Sequence, residues 1–165
     1  MKTKQQFVTK GVHIWIVSPH KFVRENQQKL LPDWNIPINL LILVLQRSDV
    51  SLRESNQSVV REKDRLRVKF IRFGLELCFT WRDRNYPSDI FDPRTGYPLL
   101  SQQGKYGIDD NVTVATLLNY PTISYRKCSL IQHPDWGDFV YPSTIATSAP
   151  LEVVKSITRE FLASM

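Results

Sequence analysis

The sequence predicts a single α+β domain over residues 11–165, with helices packed on a mainly antiparallel sheet and a flexible N-terminus over residues 1–10. A chain of 165 residues with 42% apolar composition is able to build one hydrophobic core. Residues 37–45 are apolar nearly throughout, which is typical of a strand covered on both faces in the middle of a sheet. Apolar residues also recur at helical spacing within 64–81, and they predict one long helix: Leu66, Phe70, Phe73, Leu77 and Trp81.

The N-terminal half contains three further predicted elements. Residues 11–17 are β-branched and aromatic, which favours a strand. Ser18 and Pro19 follow that strand, and they predict a helix that is capped by Ser18 and runs to about Leu31. After a polar loop, residues 59–60 are expected to form a short return strand.

The C-terminal half contains two more predicted elements. Residues 111–125 are strand-prone and are interrupted by Pro121. Ser148 favours the start of a final helix, because apolar residues recur at helical spacing after it. Asp109 and Asp110 lie in a polar stretch, and paired carboxylates of this kind are a common loop feature.

A β-hairpin with candidate functional side chains at its edge is predicted around a turn at residues 134–137. Those residues favour a turn, and β-branched and aromatic residues flank them on both sides. The second strand of the hairpin is expected to begin at 138 and to run toward 147. Side chains alternate along a strand, so Cys128 and His133 are predicted to lie on opposite faces. This arrangement argues against a metal site made by those two side chains.

The two cysteines have different expected roles. Cys128 has two interpretations: a thiolate stabilised by the charges of Arg126 and Lys127, or a half-buried small apolar side chain. Cys78 lies in the apolar part of the predicted helix and is expected to be a neutral core thiol. Gly74 in the same helix is expected to allow close approach of a neighbouring element.

The remaining candidate residues are interpreted first as structural. His133 is a possible metal ligand or proton carrier, but a histidine beside a turn more often bonds a backbone carbonyl. Trp136 and Gly137 indicate packing and turn geometry, although a tryptophan at a hairpin tip can also anchor a partner. Asp92 and Gly96 begin and end a tight turn.

A row of four cations follows one side of the predicted helix. Such a row is either a solvated face or a surface for an acidic partner or phosphate: Arg61, Arg65, Lys69 and Arg72. The formal net charge is +6 with a sequence pI near 9.4. No recognition helix, zinc finger or aromatic RNA-binding pattern accompanies the charge, so a nucleic-acid partner is not predicted.

Several protein classes are excluded by missing patterns. Two cysteines do not make a secreted disulfide framework or a zinc finger, and a reducing, cytoplasmic location is expected. The longest apolar run is far shorter than the roughly 20 residues of a membrane span, and no signal-peptide core is visible. No nucleotide-binding glycine loop, metalloprotease helix or nucleophile elbow is present, so an enzyme is not predicted.

Three blocks in one co-linear register carry a family resemblance. They lie within roughly residues 30–156 and are Glu76-Leu77-Cys78-Phe79, the stretch from Tyr86 through Asp92-Pro93-Arg94-Thr95-Gly96, and Cys128-x-x-Ile131-x-His133-x-x-Trp136-Gly137. In these blocks the chain resembles the methylmalonic aciduria and homocystinuria type D proteins, which are cobalamin trafficking proteins of animals. The animal proteins have adjacent cysteines where this chain has Lys127 and Cys128.

The resemblance implies a function that the residues alone leave open. It implies a fold similar to flavin-dependent nitroreductases and a non-enzymatic adaptor that docks on a cobalamin-binding protein partner. Cys128 would then offer a thiolate to cobalt only when the partner holds the cobalamin. No cofactor is expected to be bound tightly by the chain alone, and a homo-oligomer is possible. The alternative is a flavin-binding oxidoreductase of nitroreductase-like fold.

Overall fold

A computed structural model describes residues 2–164 of the chain. Within that range the elements follow one another as β1 (Lys4–Thr9), β2 (Val12–Val17), α1 (Lys21–Leu30), β3 (Leu40–Arg47), α2 (Gln57–Arg82), β4 (Ser88–Ile90), α3 (Asp110–Leu118), β5 (Thr122–Tyr125), β6 (Cys128–Ile131), β7 (Val140–Thr147) and α4 (Leu151–Ala163).

Five of the strands form one antiparallel sheet in the order β1-β2-β3-β7-β4. The central strand β3 is buried from Leu40 to Gln46, as expected for an apolar strand with both faces covered. Strands β5 and β6 form a separate two-stranded hairpin. The predicted α+β class and the predicted central strand are confirmed, while the likeness to nitroreductases stays a prediction.

Each face of the sheet supports its own apolar core. On one face α2 and α4 pack through Phe70, Leu77, Trp81, Val154 and Ile157. On the other face α1 and α3 pack through Val23, Leu30, Val114 and Leu118. The alternation of side chains along β3 supplies both cores, because successive residues point to opposite faces.

The N-terminus is not flexible over its whole predicted range. Strand β1 pairs with β2 from Lys4↔Val17 to Thr9↔Val12, and Phe7 packs against the α2–α4 core. The prediction of a flexible end is therefore wrong for β1. The polar composition of this segment is that of an edge strand with one solvated face, which sequence patterns do not distinguish from a frayed terminus.

The long helix α2 confirms the prediction and extends it toward the N-terminus. It begins after Asn56, whose side chain accepts a hydrogen bond from the Val59 amide at 3.0 Å. The predicted return strand at residues 59–60 is wrong, because this cap brings those residues into the first turn of the helix. A Cβ at Gly74 would lie 2.5 Å from Cγ2 of Ile90, which confirms the close approach of a neighbouring strand.

Two predicted helix starts are displaced by a few residues. Helix α1 has His20 at its N-cap, while the Ser18 hydroxyl accepts a hydrogen bond from the Thr3 amide at 2.8 Å. Helix α4 begins after Pro150 rather than at Ser148. Ser18 does not cap α1, because its hydroxyl binds the amide of Thr3, the residue before the edge strand β1. Local capping rules do not include such a long-range contact.

The strand predicted for residues 111–125 is wrong in its first part. Residues 110–118 form α3, because the Asp109 side chain caps the helix by accepting a hydrogen bond from the Val112 amide. The second part is confirmed as β5. No helix within residues 2–164 has the length and apolar character needed to cross a membrane.

Candidate functional site

A cleft of about 620 Å³ opens between α2, the 92–96 turn, the start of α3, β6 and the start of β7. Cys128 and Gly96 both line this cleft, so the structure brings together two of the blocks that carry the family resemblance. The lining is mixed: apolar residues such as Leu52, Val60 and Leu130 alternate with the polar residues Lys63, Arg67, Arg94, Asp109, Asp110 and Tyr141. The cleft is the candidate functional site.

Cys128 is exposed and is the first residue of β6. It pairs with Tyr125 of β5 across a two-residue turn formed by Arg126 and Lys127. Both turn residues have positive φ, 47° and 68°, as a type I′ hairpin turn requires. The hairpin thus presents the thiol beside two cationic residues at the wall of the cleft.

The predicted pairing of this hairpin is wrong, although a turn does form at residues 134–137. His133 and Gly137 form an antiparallel bridge across that turn, with backbone hydrogen bonds of 2.8 and 2.9 Å. Strand β7, however, pairs with β3 and β4 in the main sheet. The left-handed turn at Arg126 and Lys127 gives Cys128 a different partner strand, and His133 lies beyond the end of β6.

The 92–96 turn is confirmed and forms one wall of the cleft. The Gly96 amide donates to the Asp92 carbonyl at 2.7 Å, and Gly96 has φ +79°. A Cβ at Gly96 would lie 2.5 Å from the carbonyl oxygen of Ile108. Glycine is therefore required here both by the left-handed backbone and by the lack of space.

A bidentate ion pair joins this turn to α2. Arg67 Nε and Nη2 donate to the two carboxylate oxygens of Asp92 at 2.7 and 2.5 Å. The Arg67 hydrogen bonds hold the pKa of Asp92 below its usual value. The backbone bond from Gly96 to the Asp92 carbonyl confirms the predicted place of Asp92 in the turn. The Asp92 side chain is buried, and the turn pattern did not indicate its partner, Arg67.

A buried carboxyl group lies at the floor of the cleft. Thr144 Oγ1 donates to Asp110 Oδ1 at 2.7 Å. Burial raises the pKa of Asp110 to about 8 against the opposing effect of that hydrogen bond, and the nearby Asp109 adds to the increase. Burial also raises the pKa of Tyr141, and the proximity of Asp110 contributes. The paired aspartates are thus a helix cap and a protonated cleft residue rather than a plain loop feature.

His133, Trp136 and Gly137 lie outside the cleft lining. The His133 ring stacks on Trp136 at 4.0 Å between ring centroids, and its Nδ1 accepts from the amides of Asp135 and Trp136. Nε2 of His133 therefore carries the proton and donates to Nδ1 of His13 at 3.2 Å. Burial, with a smaller contribution from His13, lowers the pKa of His133 to about 4. The ring holds the turn as predicted, but it accepts from amides instead of bonding a carbonyl.

The predicted row of cations is exposed along α2, on a different side of the helix from the cleft. Arg65 is not free: its guanidinium donates to Glu62 Oε1 at 2.6 Å and also contacts Asp49. Arg61, Lys69 and Arg72 complete the row. The helix therefore separates its cations into two groups, because Lys63 and Arg67 face the cleft.

Sequence reasoning did not identify Arg67, Asp110 or Tyr141 as site residues. Each of them meets its neighbours through tertiary contacts with distant parts of the chain, as Arg67 meets Asp92 and Asp110 meets Thr144. The one local signal was the cap position of Asp109, which would have indicated a helix that begins with Asp110.

Comparisons with known proteins give a consistent result. Residues 1–158 match the family described as methylmalonic aciduria and homocystinuria type D protein. The rat and human proteins named cobalamin trafficking protein CblD are 22% identical over 129 residues, which cover 78% of this chain and 44% of each relative. The chicken protein of the same name is 25% identical over 134 residues. The match to the family extends over most of the chain, and this chain therefore belongs to the methylmalonic aciduria and homocystinuria type D protein family.

Proposed function

We propose that this chain is a cobalamin-handling adaptor that docks on a cobalamin-binding protein and offers the Cys128 thiolate to cobalt. The observation that carries the proposal is the position of Cys128, which is exposed on a hairpin at the wall of the cleft. The curated relatives are named as cobalamin trafficking proteins, which supports the identity of the cargo.

The residues at the site fit a shared rather than an enclosed cargo. A thiolate is a soft ligand that suits cobalt, and an exposed thiol is accessible to a metal held by another molecule. Pockets that enclose drug-sized ligands measure about 300–1,000 Å³. The cleft of about 620 Å³ falls in that range, while a corrin with its nucleotide tail is much larger than a drug. The proposal therefore leaves most of the cobalamin in the partner.

The proposed role of the chain is to supply one ligand. Ligation requires the Cys128 thiol to lose its proton, and metal binding favours that loss. Within residues 2–164 no group of three or more His, Cys, Asp and Glu side chains is placed to hold a metal ion. Lys127, which stands where the animal proteins have a second cysteine, supplies a positive charge beside the thiol.

The proposal is tested on the complex of the tagged chain with its partner, isolated from the source cells and loaded with hydroxocobalamin. The visible spectrum is recorded for the parent chain, for Cys128→Ser and for the control Cys78→Ser. We expect the parent and Cys78→Ser complexes to show the same shift of the cobalamin bands, and Cys128→Ser to lack it. The chain without the partner should leave the hydroxocobalamin spectrum unchanged.

A band shift that persists in Cys128→Ser would assign the cobalt ligand to another group and end the thiolate proposal. The same complexes report on the alternative function. Flavin absorbance at a near-stoichiometric level after gentle purification would favour the oxidoreductase instead.

A further inference from the structure

The cleft beside Cys128 has polar groups at its floor that the proposed thiolate role does not use. Asp110 and Tyr141 are each 8% exposed, and both line the cleft. The Thr144 hydroxyl donates to Asp110 Oδ1 at 2.7 Å. Among the residues described, neither Asp110 Oδ2 nor the Tyr141 hydroxyl has a hydrogen-bond partner. Both groups are therefore available to a molecule that enters the cleft.

The charges around these groups balance one another. The lining side chains comprise three cations and four carboxyl groups: Lys63, Arg67 and Arg94, and Asp64, Asp109, Asp110 and Asp138. Asp110 is protonated near neutral pH, so three cations face three carboxylates. Three ion pairs involve this lining, Arg67 with Asp92, Arg94 with Asp64 and Arg53 with Asp138, and they leave one cation, Lys63, and one carboxylate, Asp109. The cleft consequently has no excess charge with which to select an ion.

The floor of the cleft matches a neutral group that both donates and accepts hydrogen bonds. The protonated Asp110 carboxyl and the Tyr141 phenol each offer one O–H donor and an acceptor oxygen. A primary carboxamide presents one carbonyl acceptor and two N–H donors, so it pairs with both groups. A carboxylate in the same place would have no N–H to donate, and the cleft has no excess positive charge to offset the loss of its hydration.

The geometry points to a carboxamide-binding subsite at the floor of the cleft, which takes an amide arm of the corrin whose cobalt Cys128 reaches. The identity of the cargo rests on the proposed function. A corrin ring has amide arms around its edge, and an axial thiolate approaches perpendicular to the ring. Arms on the side of Cys128 therefore extend toward the cleft that Cys128 lines.

The subsite is tested without cobalt by titrating the isotope-labelled chain with propionamide and, separately, with propionate, and following backbone amide resonances. We expect propionamide to bind in the millimolar range and to shift resonances of cleft residues, and propionate to bind at least several-fold more weakly. Tyr141→Phe should weaken propionamide binding about threefold to tenfold, since it removes one hydrogen bond. Asp110→Asn keeps a donor and an acceptor and should retain binding.

The matched control is Tyr86→Phe, which removes the hydroxyl of a tyrosine that packs on the α2–α4 core and does not line the cleft. This variant should leave the affinity unchanged. Equal or tighter binding of propionate, or resonance shifts confined to other surfaces, would overturn the subsite. The two experiments distinguish failure of the subsite from failure of the proposed function. If propionamide binds but the cobalamin band shift does not depend on Cys128, the subsite is supported and the cobalt-ligand role of Cys128 is wrong. If the band shift depends on Cys128 but propionamide does not bind, only the subsite is wrong.

Discussion

Burial gives the two cysteines different chemistry. Cys78 is fully buried in α2, and burial raises the pKa of its thiol well above the usual value, so it stays neutral and unreactive. Its predicted core role is confirmed. Cys128 is exposed at the start of β6, and the interpretation of a half-buried apolar residue does not hold for it. Its role as a metal ligand stays a prediction.

Asp110→Asn should change the pH dependence of stability. The ordinary pKa of the carboxyl is 3.8 and the folded value is about 8, so the unfolded chain loses this proton first. The stability contributed by Asp110 is complete below about pH 4 and is lost as the pH rises toward 8. Asparagine has no such proton, so the variant should gain on the order of 3 kcal/mol over the parent between pH 5 and pH 8.

Urea unfolding at a series of pH values measures this difference. Asp83→Asn is the matched control, because Asp83 is exposed at the C-terminal end of α2 and does not contribute to the pKa of Asp110. The control should follow the parent. Parallel curves for Asp110→Asn and the parent would show that Asp110 is ionised in the folded chain.

At the scale of elements, α2 organises the site by presenting different residues on different sides. One side is buried in the core through Leu66, Phe70 and Leu77, and a second lines the cleft through Lys63 and Arg67. The third side carries the exposed cations. A helix of 3.6 residues per turn allows this division, because residues three and four apart share a side. The β5–β6 hairpin then adds Cys128 from across the cleft.

The hairpin turn should tolerate a better turn sequence. Arg126 and Lys127 are non-glycine residues in the left-handed region, which costs roughly 1 kcal/mol per residue. Replacing them together by Asn-Gly, the preferred type I′ pair, should raise the free energy of unfolding by about 1 kcal/mol. Urea unfolding measures the gain. The control, Arg126→Ala with Lys127→Ala, removes the same two charges without relieving the left-handed backbone and should give no gain. A gain equal to that of Asn-Gly would attribute the effect to charge.

The cleft and the row of exposed cations lie on different sides of α2 in the folded molecule. In a chain of formal charge +6, such a row is suited to the acidic surface of a partner. Because Arg65 is already bonded to Glu62 and Asp49, Lys69 and Arg72 are the cations to test.

The double variant Lys69→Glu with Arg72→Glu should weaken capture of the cobalamin-binding partner by tenfold or more at low salt, and the difference should shrink as salt is added. Titration of the isolated partner against the labelled chain measures the affinity. The control variant Lys21→Glu with Lys29→Glu changes the net charge equally, on exposed residues of α1, which packs on the other face of the sheet from α2. If both variants weaken capture alike, the effect comes from net charge and the row is a solvated face.

The features that the sequence determined by itself are those that local patterns encode. The apolar run of β3, the helical periodicity of α2 and the turn that ends at Gly96 follow from residues close together in the chain, and so does the burial of Cys78. Tertiary structure alone decided that β1 forms the sheet edge and that Cys128 pairs with β5. It also decided that Arg67 bonds Asp92 and that Asp110 is buried against Thr144. The reason is physical: periodicity and turn chemistry act over a few residues, whereas strand partners, ion pairs and desolvation depend on groups that only the folded chain brings together.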